Sequence, residues 1–227
     1  MAEQFSKLIT PKTLLGICFL AAVAWFFWPR PETRWEVRHL DSVKSGPIVA
    51  LGDSLTEGVA VAPTENYPYY LSTAWGEPVI NAGVSGHRTD EGLARLESDV
   101  LAHTPRLVLV ALGGNDLRQN VPVDVAFRHL REVVQRIQDS GAVVALLGVD
   151  GGLFYGPEYD EAYKALAEEM GCILVSDILE DILGRRSLLL DQVHPNGAGY
   201  KVLASKVIRE FNHFHEQLGI PAAGEVE

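Results

Sequence analysis

The chain has 227 residues, of which 47% are hydrophobic, and a formal net charge of -11 at neutral pH. That length allows one membrane-proximal segment and one domain with a full-sized core, whereas two packed domains would be crowded. The acidic balance offers no basic surface for a phosphate backbone and argues against nucleic-acid binding, and the two cysteines, Cys18 and Cys172, make no disulfide framework.

The first segment, residues 1–28, has the features of a membrane-targeting leader. Lys7 and Lys12 precede an uncharged apolar run at residues 14–28, which ends in aromatic side chains. At helical rise this run spans about 22 Å, less than the ~30 Å of a hydrocarbon core, so a signal peptide cleaved near Ala22–Ala24 competes with a retained anchor. The aromatic end favours an anchor helix. The charges on its two sides do not decide the orientation, and we expect the usual one for a signal anchor, with the following domain outside the cytoplasm.

Beyond a charged, proline-marked linker at residues 29–46, apolar runs alternate with amphipathic segments. The apolar runs predict strands near Ile48–Leu51, Pro78–Asn81, Leu107–Leu112, Ala142–Val149 and Cys172–Val175. The amphipathic segments predict helices near Tyr67–Trp75, Glu91–Ala102, Val123–Asp139, Glu158–Met170 and from Gly197 to about Leu218. This alternation predicts an α/β domain over residues 47–218, with a five-stranded parallel sheet covered on both faces, and a frayed tail at residues 219–227.

The first strand leads directly into a polar turn bounded by Gly52 and Gly58. Glycines let the backbone bend sharply, which would leave the Ser54 hydroxyl and the neighbouring amides facing outward at the strand tip. The turn therefore suits a serine nucleophile. Considered alone, it fits equally well an ordinary strand-to-helix connection in which Asp53 or Ser54 caps a helix.

Two further loops contain groups suited to binding an anion. Gly86 follows the second strand, where a glycine lets a backbone N–H approach a ligand closely. Asn115 follows the third strand, and its side chain can donate a hydrogen bond to an oxygen that becomes negative. Each segment alone is also explained by a plain loop or an Asx-turn. Because sites in parallel sheets lie beyond the carboxyl ends of the strands, these loops and the Ser54 turn should meet.

The loop from Asp191 to Pro195 supplies the remaining groups that a reactive serine needs. A serine hydroxyl is a weak nucleophile at its free pKa and requires a base, most often a histidine that a third group orients. The Asp191 carboxylate can reach one imidazole nitrogen of His194 while the other nitrogen faces a serine. The convergence of four polar segments favours this catalytic interpretation over a histidine that merely precedes a helix.

In order and spacing these segments resemble the motif blocks of the SGNH (GDSL-type) hydrolases over about residues 47–215. The blocks are Gly52-Asp53-Ser54-Leu55, Gly86, Gly113-Gly114-Asn115-Asp116 and Asp191-x-x-His194-Pro195. Residues 81–96 and the segment Tyr155-Gly156-x-x-Tyr159 resemble the bacterial branch of thioesterases, lysophospholipases and arylesterases. The resemblance implies a flavodoxin-like three-layer α/β/α sandwich with Ser54 as nucleophile, His194 as base and Asp191 as its orienting group. It also implies an oxyanion hole formed by the Ser54 and Gly86 amides and the Asn115 side chain.

Other residues near the predicted site are candidates for substrate binding. Asp53 adjoins the nucleophile, and Phe154 and Tyr155 lie in a glycine-rich loop that could form the wall of an acyl pocket. The aromatic pair could equally pack on the sheet. Arg88 and Arg118 flank the site and could attract anionic substrates, although an ordinary surface charge is the default interpretation.

Two patterns argue against other kinds of site. His213 and His215 are two positions apart, so on a helix they point to different sides and do not suggest a metal pair. The Gly-x-Ser-x-Gly elbow of the larger α/β-hydrolase fold is missing, because Leu55 and Thr56 follow Ser54.

The sequence therefore predicts hydrolysis of carboxylic esters or thioesters, such as short-to-medium acyl esters or lysophospholipids, with no metal or organic cofactor. A rival is a metal-dependent phosphoesterase, which would leave Ser54 idle; its possible ligands are Asp53, Asn115, Asp116, Asp191 and His194. Acyl transfer on cell-envelope glycans and a non-catalytic, membrane-tethered binding module are further alternatives. We expect a monomer in a bacterial inner membrane with its domain in the periplasm, or a secreted protein if the leader is cleaved.

Overall fold

The computed structural model describes residues 32–149 and 158–226. The predicted leader at residues 1–28 and the predicted pocket residues Phe154 and Tyr155 lie outside these ranges. Within them, no helix combines the length and the apolar character that a membrane crossing requires.

In the described part of the chain, five short strands form one parallel sheet. They are β1 (Ile48–Gly52), β2 (Val79–Gly83), β3 (Leu107–Ala111), β4 (Val143–Leu147) and β5 (Ile173–Val175). The order is β2-β1-β3-β4-β5, and every neighbouring pair is parallel. All residues of β1, β3, β4 and β5 are buried, as expected for a sheet covered on both faces. The predicted α/β class and five-stranded parallel sheet are confirmed.

Helices connect these strands and cover the sheet. They are α1 (Ser54–Glu57), α2 (Tyr67–Trp75), α3 (Thr89–Ala94), α4 (Leu96–Asp99), α5 (Gly114–Arg118), α6 (Val123–Asp139), α7 (Glu158–Met170), α8 (Gly197–Phe211) and α9 (His215–Leu218). Short 3-10 turns lie at Leu40–Ser42, Leu101–His103 and Arg186–Leu188. The bounds of α2, α6 and α7 are those that the sequence predicts.

Alternate residues of the central strands face two different layers of helices. On β3, Leu107 and Leu109 belong to a core shared with α2 and α8. Val108 and Val110, which alternate with these leucines along the strand, belong to a core shared with α4, α6 and α7. Because strand side chains alternate between faces, a strand that is apolar throughout needs helices on both sides. The result is a three-layer α/β/α sandwich with the flavodoxin-like strand order.

The helix predicted over Glu91–Ala102 is divided in the structure. It forms α3 and α4, which meet at Arg95. The Arg95 guanidinium donates to the carbonyl oxygens of Gly52 (2.7 Å) and Ala82 (2.8 Å) at the ends of β1 and β2. These partners are distant in sequence, so the local periodicity of the segment does not indicate the break.

The closing helix is shorter than predicted, and the tail packs instead of fraying. Helix α8 ends at Phe211, not at about Leu218. The Asn212 side chain donates to the Ala223 carbonyl (2.9 Å) and accepts from the Ala223 amide (3.1 Å). Ile220 is buried in the core of the α2 and α8 face, so the tail contributes to that face of the domain.

Part of the predicted linker at residues 29–46 also packs on the domain. The Glu32 and Thr33 amides donate to the carboxylate of Glu210 at 3.0 and 3.1 Å. The Leu174 amide, in β5, donates to the Thr33 hydroxyl oxygen at 2.9 Å. The segment therefore covers the outer edge of β5, where unpaired backbone groups would otherwise be exposed. Thr33 and Glu210 are 177 positions apart, which places their contact beyond any local pattern.

We expect Glu210→Ala to lower the free energy of unfolding by about 2 kcal/mol, because two amides would lose a buried acceptor. Glu210 is 6% exposed. Urea denaturation measures the loss, and amide hydrogen exchange at Glu32 and Thr33 should accelerate. Glu168→Ala, which removes an exposed carboxylate on α7, is the control. Equal stability of the two variants would contradict the prediction.

Candidate active site

The candidate site begins at the turn that joins β1 to α1. Asp53 caps α1, and its Oδ1 accepts a hydrogen bond from the Leu55 amide at 3.0 Å. Ser54 is the first residue of α1 and is 8% exposed. A Cβ at Gly52 would stand 1.9 Å from Thr56 Oγ1, so this position requires glycine for α1 to fold back so tightly on the strand end. Because Asp53 is the cap, the Ser54 hydroxyl is left for another partner.

The structure brings Ser54, His194 and Asp191 together. His194 Nε2 lies 3.0 Å from Ser54 Oγ, and His194 Nδ1 lies 2.7 Å from Asp191 Oδ2. The Leu190 amide donates to the His194 carbonyl at 2.8 Å, which closes the loop that presents the imidazole. In this arrangement the imidazole can accept the hydroxyl proton, and the carboxylate can stabilise the imidazolium that forms.

The Asp191 carboxylate is held by its own loop. Its Oδ1 accepts from the amides of Val193 and His194, both at 2.8 Å, and its Oδ2 faces the His194 ring. The hydrogen bonds from the His194 and Val193 amides, followed by that from the His194 side chain, lower the pKa of Asp191 to about 2. Asp191 therefore remains a carboxylate at any pH at which an ester hydrolase works.

The amides of Ser54 and Gly86 are available to bind an anion. Across residues 32–149 and 158–226, no acceptor takes a hydrogen bond from either amide. Gly86 has a φ of 82°, in the left-handed region that favours glycine. Its loop reaches the Ser54 turn through Val84, whose amide donates to the Gly52 carbonyl at 3.1 Å. The two amides thus belong to loops that are hydrogen-bonded to each other.

Asn115 is 6% exposed and is oriented by three partners. Its Nδ2 donates to Asp53 Oδ2 (3.1 Å) and to the His87 carbonyl (3.0 Å), while its Oδ1 accepts from Arg118 Nη2 (2.9 Å). This network assigns the nitrogen of the amide to the side of Asp53. Both hydrogens of Nδ2 are engaged, so a bound oxyanion would share or replace one of the two acceptors.

Asp53 is 3% exposed, and both of its carboxylate oxygens contact protein groups. Burial raises the pKa of Asp53 to about 6, and the opposing hydrogen bond from the Leu55 amide does not compensate. Its partners are Leu55 and Asn115, so the side chain links the turn after β1 to the loop after β3.

The two arginines predicted at the rim differ in their partners. Arg88 forms an ion pair with Asp90 (2.8 Å) and also donates to Gln119 (3.1 Å). Arg118 makes no ion pair with any residue that the structure describes, and it donates to the Asn115 side chain. Of the two, Arg118 is therefore the one whose charge is not matched by a carboxylate in the described ranges.

The ligand set of the metal-dependent alternative is not assembled. The Asp116 carboxylate accepts from the Thr89 amide (2.9 Å) and the Thr89 hydroxyl (2.7 Å). Throughout the two described ranges, no three His, Cys, Asp or Glu side chains are placed to share a metal ion. The donor groups of the site instead pair with one another, as Asn115 does with Asp53.

Two residues at the site had no predicted role. Glu57 accepts a hydrogen bond from the Ser85 amide at 2.6 Å, next to Gly86. Arg95 binds main-chain carbonyls at the ends of β1 and β2. Glu57 lies inside the predicted turn, so its position in the sequence could have indicated a role at the site. The role of Arg95 could not be predicted, because its partners are main-chain carbonyls, which every residue has.

A cavity of about 530 Å³ adjoins the turn on its β2 side. Its lining includes Glu57, Tyr69 and Asn81 but not Ser54 or His194. The cavity therefore lies beside the candidate site, on the side of the β2 loop.

Comparison with known proteins relates the chain to a group of hydrolases. Residues 50–202 match the GDSL-like lipase/acylhydrolase family. The chain is 32% identical over 178 residues to the Escherichia coli K12 protein "Thioesterase 1/protease 1/lysophospholipase L1", covering 75% of this chain and 86% of that protein. It is 32% identical over 179 residues to an arylesterase of Vibrio mimicus, covering 74% and 90%. Among solved structures, AlinE4, an SGNH-hydrolase family esterase, is 34% identical with a TM-score of 0.61, covering 73% and 94%.

The raised pKa of Asp53 predicts a pH-dependent stability. The folded protein holds this proton up to pH of about 6, whereas an ordinary carboxyl has a pKa of 3.8. Its contribution is therefore fully present below pH 3.8 and is lost as the pH rises through about 6. We expect the free energy of unfolding to fall by about 3 kcal/mol between these limits, at 1.36 kcal/mol for each pKa unit.

Urea denaturation from pH 4 to pH 7 measures this fall, which Asp53→Asn should remove. Asp124→Asn, at an exposed position on α6, is the control and should keep the dependence. The comparison uses the slope against pH and not the absolute stability, since Asp53→Asn also alters the contact with Asn115. Parallel pH curves for wild type and Asp53→Asn would show that the prediction is wrong.

Proposed function

The chain belongs to the GDSL-like lipase/acylhydrolase family, and we propose that it cleaves carboxylic ester and thioester bonds with Ser54 as nucleophile, His194 as base and Asp191 as orienting group. One observation carries the proposal. A hydrogen-bonding path runs from Asp191 through His194 to Ser54, with heavy-atom distances of 2.7 and 3.0 Å. Both distances lie within the range that proton transfer to a general base requires.

In the first half of the proposed reaction, Ser54 Oγ attacks the carbonyl carbon of the substrate. His194 Nε2 accepts the hydroxyl proton as the new C–O bond forms. The tetrahedral intermediate then collapses, the bond to the leaving alcohol or thiol breaks, and His194 returns its proton to that group. The product of this half is an acyl ester on Ser54.

In the second half, water replaces the alcohol or thiol. His194 accepts a proton from the water as its oxygen attacks the acyl carbon, and the bond to Ser54 breaks with return of the proton to Oγ. Asp191, whose pKa is about 2, remains charged throughout and stabilises the imidazolium in both halves. The acid leaves and the free enzyme is restored.

The oxyanion of each tetrahedral intermediate is assigned to three donors. The Ser54 and Gly86 amides have no acceptor in the described ranges, and Asn115 presents its side-chain nitrogen beside Asp53. Donors that are already oriented stabilise developing charge without reorganisation, and losing one typically costs about 10²–10³ in rate.

The proposed substrates are short-to-medium acyl esters, acyl thioesters and lysophospholipids. The similarity to a thioesterase/lysophospholipase and to an arylesterase supports this class. We further propose that the enzyme acts outside the cytoplasm, held by the apolar run at residues 14–28 or secreted after its removal. The lysines that precede this run, and its uncharged apolar character, support its role as a targeting segment.

Ser54→Ala should reduce turnover of p-nitrophenyl acetate and butyrate by at least about 10³-fold, because the variant has no nucleophile for acyl transfer. The measurement is kcat on a panel that extends from acetyl to long-chain esters, thioesters and lysophospholipids. Thermal unfolding should be nearly unchanged, since the substitution removes a single hydroxyl whose side-chain partner is the partly exposed imidazole of His194.

Ser98→Ala is the matched control, because Ser98 is an exposed serine on α4. It should retain wild-type activity on every substrate that wild type cleaves. Activity of Ser54→Ala equal to that of Ser98→Ala would end the assignment of Ser54 as nucleophile.

A further inference from the structure

Glu57 ends the helix that Ser54 begins, and its side chain points toward a neighbouring loop. The residue is exposed, yet its Oε2 accepts a hydrogen bond from the Ser85 amide at 2.6 Å. That distance is at the short end for an N–H donor, and hydrogen bonds to an ionised acceptor are shorter than neutral ones. The bond therefore joins the helix of the proposed nucleophile directly to the residue before Gly86.

The side of Gly86 that a side chain would occupy is open. Apart from residues 85–87, no described atom lies within 4 Å of the position that a Cβ on Gly86 would take. The residues around it are better held, since the Val84 amide donates to Gly52 at 3.1 Å and the His87 amide donates to Val84 at 3.2 Å. Between these two anchors, the Glu57 carboxylate holds the Ser85 amide and so fixes the Val84–Ser85 peptide, which directly precedes the peptide that carries the Gly86 N–H.

The end of β2 is pressed closely against α1. A Cβ on Gly83 would stand 2.1 Å from the Glu57 backbone nitrogen, so the two segments are in backbone contact. The Asn81 side chain donates to the Thr56 carbonyl at 2.7 Å. This contact fixes the backbone of Glu57, and a carboxylate on a fixed backbone is an effective support for the loop beyond β2.

We propose that Glu57 is a positioning residue that aims the Gly86 amide at the oxyanion. This inference rests on the proposed function, in which the Gly86 amide is an oxyanion donor. Glu57 touches no reacting atom and acts through Ser85. Its counterpart is Asp53, which holds Asn115 by a 3.1 Å hydrogen bond. The turn that carries Ser54 thus supports both neighbouring donors, one with each of its carboxylates.

Because Glu57 is charged, a positioning role and a purely electrostatic role predict different effects of its substitution on kcat. A negative charge near the oxyanion would disfavour it, so removing the charge alone should leave kcat unchanged or raise it. Positioning predicts the opposite for alanine, because the Ser85 amide loses its acceptor. Glutamine retains a side-chain oxygen that can accept the same hydrogen bond and should preserve the geometry.

The test measures kcat and KM of the full chain on p-nitrophenyl acetate for Glu57→Ala and Glu57→Gln. We expect Glu57→Ala to lower kcat about tenfold, less than the 10²–10³ typical of deleting a donor, with KM nearly unchanged. Glu57→Gln should stay within about threefold of wild type. Glu65→Ala is the matched control: Glu65 is exposed and its Oε2 accepts from the Ala62 amide at 3.1 Å, but that amide belongs to another loop.

A second readout is the rate at which a p-nitrophenyl alkylphosphonate inactivates each variant, because its tetrahedral adduct places an oxygen among the oxyanion donors. Glu57→Ala should slow inactivation about as much as it lowers kcat, with an unchanged melting temperature. If Glu57→Ala matches Glu65→Ala in both assays while wild type exceeds Ser54→Ala, the inference fails and the proposed function stands. If wild type does not exceed Ser54→Ala on any ester, both fail.

Discussion

The reversal of strand order at β1 is the constraint on which the rest of the site depends. β2 pairs with one side of β1 and β3 with the other. Right-handed crossovers to opposite sides of one strand place their helices on opposite faces of the sheet, which leaves a crevice at the carboxyl ends. The turn after β1 therefore lies between the loops that follow β2 and β3, and Ser54 has the Gly86 loop on one side and Asn115 on the other.

Close backbone contacts at the strand ends bring α1 against the edge of the sheet. Gly52 and Gly83 are positions where a Cβ would collide with α1. Both glycines are at the last position of their strands, opposite each other in the register of β1 and β2. Their missing side chains let α1 rest on the sheet edge, so the hydroxyl of Ser54 is held by main-chain packing. Support by main-chain packing limits movement of the Ser54 side chain. A nucleophile and its base must be held at a defined separation for proton transfer, here between Ser54 Oγ and His194 Nε2.

Most of the fold and the grouping of the site residues could be predicted from the sequence, because both depend on local patterns. Strands that are buried on both faces appear in the sequence as continuous apolar runs. The Ser54 turn directly follows such a run, and Asp191 and His194 lie three positions apart in one short loop. What could not be predicted depends on distant partners. The break between α3 and α4 is set by Arg95 and main-chain carbonyls, and the packing of residues 32–33 is set by Glu210. The predicted roles of the site residues are supported by their geometry and stay predictions until activity is measured.

Asp53 and Asp191 differ in surroundings, which is why we propose the carboxylate of the loop, and not that of the turn, as the orienting group. Near the surface, Asp191 accepts hydrogen bonds from two backbone amides and pairs with an imidazole, and these hydrogen bonds lower its pKa to about 2. Asp53 is buried, which raises its pKa to about 6. An imidazolium is best stabilised by a partner that remains charged when the imidazole gains its proton, and a carboxyl that titrates near neutrality loses that charge in mild acid. The buried carboxyl is suited to holding Asn115, because a hydrogen bond in a site of low dielectric is strong and keeps the amide in one orientation. The same chemical group thus has two uses, and its surroundings decide which one each position can serve.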